Sequence, residues 1–131
     1  MNKVFLGGTC AETTWREELI KVIDVPYFNP VVDDWTQDCI EIENKEKAIF
    51  CNVHLYVITK EMIGVYSIAE VVESAMNSGK ITIFHVMPDG FDPAQLRSLK
   101  AVAGMIRGHG GIAYIDTDLH RTARVINFAF K

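Results

Sequence analysis

Glu70 is the residue whose type and position could do chemistry. It falls in the first turn of an expected helix, Ser67 to Ser78, that follows the third of five expected strands. A carboxylate there could attack, or stabilise, the electron-poor anomeric carbon of an oxocarbenium-like transition state. Ser67-Ile68-Ala69-Glu70 also spells a capping box, in which Glu70 would satisfy an orphan amide of the helix. The two readings are partly compatible, because a capped helix start would also fix the carboxylate.

Three other stretches hold polar groups at strand ends. Asn29-Pro30-Val31-Val32-Asp33-Asp34-Trp35 gathers an amide, two carboxylates and an indole in one loop. Asn29, Asp33 and Asp34 could hydrogen-bond sugar hydroxyls or base edges, and Trp35 could stack on a ring. A solvated turn with its Trp folded back on the sheet is the competing reading. Gly7-Gly8-Thr9-Cys10 would let a ligand approach the backbone closely, but lacks the Lys-Ser/Thr of a P-loop and the full dinucleotide fingerprint. Cys10 could be a reactive thiol at a helix start, although small buried cysteines are common in such turns. Glu41, Glu43 and Glu46, interleaved with Lys45 and Lys47, read mostly as a solvated helix face. His54 and His85 fall inside strands, and none of the four histidines has ligand spacing, so no metal and no cofactor is expected.

The elements that must place these groups alternate along the whole chain. Expected strands are Lys3 to Gly8, Val25 to Phe28, Val53 to Thr59, Ile81 to Val86 and Ile112 to Ile115. Expected helices are Thr14 to about Asp24, Thr36 to about Phe50, Ser67 to Ser78, Asp92 to about Arg107, and Asp118 to Phe130. Thr14 and Glu17 spell a capping box, and Gly79 is placed to end the third helix as a left-handed cap. Strict alternation implies an α/β fold, a five-stranded parallel sheet covered on both faces. At this length the flavodoxin-like order 2-1-3-4-5 is expected, a Rossmann-like three-layer α/β/α architecture. Ligands then bind beyond the carboxyl ends of strands one and three, where the order reverses.

Composition narrows the function classes. The chain has 131 residues, expected to form a single domain, 1–131. Thirteen basic residues against seventeen acidic ones, with no basic run, argue against a nucleic-acid polymer as partner. No apolar run approaches the ~20 residues of a membrane span. Met1 leads straight into Lys3-Val4-Phe5-Leu6, and three scattered cysteines suggest no disulfide framework; a reducing cytoplasm is expected.

Val4-Phe5-Leu6-Gly7-Gly8-Thr9, Phe28-Asn29-Pro30, Cys51-Asn52-Val53-His54-Leu55-Tyr56 and Ser67-Ile68-Ala69-Glu70 through Gly79-Lys80 occur in an order that resembles the nucleoside 2-deoxyribosyltransferases. The likeness is greatest to their smaller bacterial and phage branch, over roughly residues 3 to 86. It implies that Glu70 is the nucleophile of a glycosyl-enzyme intermediate resolved by a second nucleobase or by water. It further implies that Glu43 is the acid near the base. By the same likeness Gly7, Gly8, Thr9 and Trp15 enclose the sugar, and Asn29, Asp33, Asp34 and Trp35 border the base or sugar. The implied ligand is a nucleoside or nucleotide, and the implied assembly a homo-oligomer, for which Phe128 and Phe130 are compatible interface residues. The loop before the third helix departs from the family. Gly64 stands where transferases carry Asp six residues before the nucleophile, and Tyr66, beside Ser67, is the candidate to fill part of that role. Transfer, hydrolysis and binding without turnover all stay open on these residues.

Overall fold

A computed structural model describes residues 2–10, 13–31 and 36–129. Asp33, Asp34, Trp35 and Phe130, expected at the site or at an interface, lie outside these residues. The chain runs β1 (Val4–Gly8), α1 (Trp15–Ile20), β2 (Tyr27–Phe28), α2 (Gln37–Lys45), a π-helical turn (Glu46–Phe50), β3 (Val53–Ile58), α3 (Tyr66–Ala75), β4 (Ile81–Val86), α4 (Pro93–Gly108), β5 (Ile112–Ile115) and α5 (His120–Ala129). The five strands form one parallel sheet in the order β2-β1-β3-β4-β5, as the alternation predicts. The fold is therefore a three-layer α/β architecture.

Burial on both faces explains why the central strands read as continuous apolar runs. Val4, Leu6, Leu55 and Val57 point to one face, where Trp15 and Leu19 of α1 meet Ala123 and Ile126 of α5. Phe5, Tyr56, Ile58 and Phe84 point to the other, under Val71 of α3 and Leu99 and Ile106 of α4. Among the described residues no helix is long and apolar enough to cross a membrane.

Several local expectations are corrected. Thr14 precedes α1 but makes no side-chain cap, because its φ of −113° and ψ of 9° are not the extended geometry a cap needs. The helix ends at Ile20 rather than near Asp24, and β2 keeps only two of its four expected residues. Thr36 does cap α2, its hydroxyl accepting from the Cys39 amide at 3.4 Å. The α-helix stops at Lys45, however, and the chain rewinds as a π turn closed by Cys51 N to Glu46 O at 2.7 Å. Gly79 is not left-handed; Gly8, Gly90 and Gly110 are the described glycines with positive φ. The Asn77 side chain closes that turn instead, accepting from the Gly79 amide at 2.9 Å. Asp92 caps α4 through the Ala94 amide, and Asp118 accepts from the His120 amide at the start of α5.

His54 and His85 pack within the sheet, as their strand positions predict, and their partners fix their protons. His54 Nε2 lies 2.7 Å from the Lys47 carbonyl, which can only accept, so Nε2 carries the hydrogen. Nδ1 then accepts from Ser74 Oγ at 2.9 Å, and Ser74 in turn accepts from Thr82 Oγ1 at 2.7 Å. His85 repeats the pattern with the Asp116 carbonyl and Thr122. Burial lowers the pKa of both rings. Both states are neutral above the unfolded value of ~6.5, so the stability is fully present there. As pH falls, the unfolded chain takes protons that the folded chain refuses. Urea unfolding should therefore show stability lost between pH 7 and 5, by up to ~1.4 kcal/mol per pH unit for each ring. His54→Gln with His85→Gln should flatten that slope; a wild-type slope already flat would contradict the assignment.

Candidate active site

A cavity of about 410 Å³, within the usual range of small-molecule sites, opens at the carboxyl end of β1. Phe5, Gly7 and Gly8 line its β1 side, Tyr66, Ser67 and Glu70 come from α3, and Glu43 faces in from α2. Pro30 and Val31 close the side beyond β2. Glycine is required where β1 meets β3. A Cβ at Gly7 would lie 2.5 Å from the Tyr56 ring, so the absence of a side chain brings that ring against the strand.

Glu70 does not cap α3. The helix begins at Tyr66 with Val65 as its N-cap residue, so Ser67 already lies inside it and Glu70 lies in the second turn. Its Oε2 instead pairs with Lys47 Nζ of the π turn at 2.5 Å, with the two side chains only 10% and 17% exposed. Among the described residues no hydrogen bond reaches Oε1. The local pattern Ser67-x-x-Glu70 thus gives way to a contact 23 residues away. The sequence pattern places Lys47 on a solvated face, and no local signal marks it for this contact. Its ammonium also sits 5.8 Å from the centre of the Phe5 ring, a favourable face for a cation.

Arg16 is the second residue that sequence reasoning passed over. It is buried, and donates from Nε to the Leu6 carbonyl, from one terminal nitrogen to Thr9 and from the other to Gly8, at 2.6–3.2 Å. Three carbonyls at the end of β1 and just past it are thereby tied to one guanidinium. Burial lowers its pKa, opposed by Cys10 and Glu43 nearby. A lone arginine one residue after Trp15, close behind a Gly-rich turn, is the signal that was available.

The remaining expected residues divide. Thr9 is buried, its hydroxyl accepting from the Thr59 amide at 3.0 Å, and it faces an adjoining hollow that shares Tyr66 and Ser67. Tyr66 is exposed at the rim. Trp15 does not line the cavity: it is in the core, its indole donating to the Thr9 carbonyl at 2.9 Å. The Asn29 amide closes its own turn by accepting from Val31 N at 3.1 Å, so its neighbours Pro30 and Val31 face the cavity in its place. Cys10 is exposed at the mouth, whereas burial pushes the Cys51 thiol up to about 12 and leaves it inert.

Beneath this floor the Tyr56 hydroxyl is buried and has no hydrogen-bond partner among the described residues. Burial, then the charges of Glu70 and Glu43, raise its pKa. A buried orphan hydroxyl costs about 1–3 kcal/mol. Tyr56→Phe should therefore keep or raise the melting temperature; a clear loss would reveal a partner.

A larger, shallower depression on the outer face of α3 is almost wholly apolar, bordered by Val65, Ile68, Val72 and Met76. It lacks the converging polar groups of a reaction site. No curated protein matches the chain closely enough to refine the comparison. The family model described as nucleoside 2-deoxyribosyltransferase like matches residues 1–90, the stretch that carries β1, the π turn, Glu43 and Glu70. With more than half its length so matched, and with the expected sheet order around the matched strands, the chain belongs to the nucleoside 2-deoxyribosyltransferase-like family.

Proposed function

We propose that the chain cleaves the N-glycosidic bond of a nucleoside or nucleotide, by deoxyribosyl transfer or hydrolysis, with Glu70 as nucleophile. The observation that carries this reading is the pair of carboxylates, Glu70 and Glu43, lining one cavity at the point where the strand order reverses. Glu70 attacks C1′ as the C1′–N bond breaks, and the bonding pair leaves with the base, which takes a proton from Glu43. Water or a second nucleobase then attacks C1′, and the ester bond pair returns to Glu70. Gly7 and Gly8 form the sugar floor and Ser67 and Tyr66 the α3 wall, with Asn29, Asp33, Asp34 and Trp35 assigned to the base or sugar by the family likeness alone.

The reading extends to the whole of 1–131 as one domain, since the segment after residue 90 adds α4, β5 and α5 to the same sheet and core, and a cytoplasmic location is part of the same proposal. A homo-oligomer is supported by the apolar outer face at α3, where Val65 and Met76 are exposed, and by Phe128, 95% exposed on α5.

Chromatographic detection of free base tests the proposal. The protein is incubated with deoxynucleosides and their 5′-monophosphates, with and without an acceptor base, beside Glu70→Gln. Release that vanishes in the variant is expected, and exchange with acceptor separates transfer from hydrolysis. The second reading, a binding protein without turnover, draws on Gly64, which stands open with no atom near its Cβ position where transferases carry Asp. Ligand-induced stabilisation without base release would select it.

A further inference from the structure

We propose that Lys47 is the positioning residue of this site, and that its ammonium drives the breakdown of the glycosyl-enzyme intermediate; the inference rests on the glycosidic reading of Glu70. Lys47 is fixed at both ends. Its carbonyl accepts from His54 Nε2, and that ring is locked through Ser74 to Thr82, so β3, α3 and β4 all hold the π turn. Ser74 lies four residues after Glu70 on α3. The helix that carries the carboxylate therefore also anchors, through His54, the backbone of the lysine that pairs with it. The π winding supplies the means: one residue more per hydrogen-bonded turn changes the direction in which the following side chains leave the helix.

The charge balance gives the pair a kinetic consequence. In the resting site the ammonium holds Oε2 and leaves Oε1 to attack C1′. Once Oε1 has bonded to C1′, Glu70 is a neutral ester and Lys47 keeps a half-buried positive charge without its counter-ion. Cleavage of the C1′–O bond by water or an acceptor base sends the electron pair back to Glu70 and restores the ion pair. Lys47 thus makes the carboxylate a better leaving group, and its removal should slow the second step more than the first.

The test is Lys47→Met beside wild type, Lys47→Arg and Glu70→Gln, read by steady-state base release and by the mass of the intact protein during turnover. In Lys47→Met, kcat is expected to fall by at least ~10-fold, KM to fall with it, and a protein adduct of one deoxyribosyl group to accumulate. Lys47→Arg should restore part of kcat and lower the adduct. A merely structural lysine would give the opposite split: kcat/KM falls and no adduct appears. That result, or wild-type kinetics in Lys47→Met, would overturn the proposal while leaving Glu70 as nucleophile. Absence of base release by wild type itself would instead overturn the glycosidic reading, and this inference with it.

Discussion

Glu70→Gln is expected to keep its fold and bind substrate while base release falls by ~10³-fold or more. Glutamine preserves the shape and one carbonyl oxygen, which can still accept from Lys47, but it carries no nucleophilic oxygen. A carboxylate attacks because its charge is lost into the new bond; an amide oxygen has no such charge to give. The fold should tolerate the change because α3 does not depend on Glu70 for a cap: its N-cap is Val65, and no side chain caps its first turn. Its anchoring instead comes from Val71 and from Ser74, both buried. The melting temperature should therefore move by the equivalent of about 1 kcal/mol, the difference between a charged and a neutral acceptor for a half-buried ammonium. Retained turnover in Glu70→Gln would remove the nucleophile from the mechanism, and Glu43, the other carboxylate of the cavity, would be the next residue to replace.

How much of this was legible depends on whether the signal is local. The sheet order followed from apolar runs alternating with helical periods, because strands buried on both faces leave a mark in their own residues. The place of Glu70 followed in turn, since it needs only the order of elements and the end of the third strand. What holds Glu70 did not follow. The capping box at Ser67 is a pattern of four residues, and it failed because the chain enters α3 two residues earlier, with Val65 rather than Ser67 as the N-cap. Lys47 meets Glu70 only through a π turn, and nothing in Glu46-Lys47-Ala48-Ile49-Phe50 distinguishes such a turn from the α-helix it interrupts. Arg16 and Trp15, at the start of α1, converge on the Thr9 carbonyl just past β1, and the periodicity that places Trp15 in the core does not reveal this polar end.

Gly8→Ala is expected to cost about 3 kcal/mol or more, enough to unfold a marginal domain of this size. Gly8 ends β1 at φ +114°, a region that side chains rarely adopt. A Cβ there would stand 2.0 Å from the Val57 carbonyl oxygen and 2.6 Å from the Val57 nitrogen. These are backbone atoms of the central strand, so no rotamer change can relieve the overlap. The Val57 carbonyl also accepts from the Thr9 amide at 2.9 Å, and pushing it away would break the end of the β1–β3 ladder. Gly104→Ala supplies the contrast. It lies within α4 with no atom within 4 Å of its Cβ position, so alanine there should stabilise by about 0.5–1 kcal/mol through helix propensity alone. Urea melts of the two variants read both signs in one experiment. Gly8 borders the cavity, so its strain and the site have a common origin: β1 must come close enough to β3 for the carboxylates of α2 and α3 to face one hollow. A Gly8→Ala protein as stable as wild type would mean that this close approach is not required, and the floor of the cavity would have to be drawn differently.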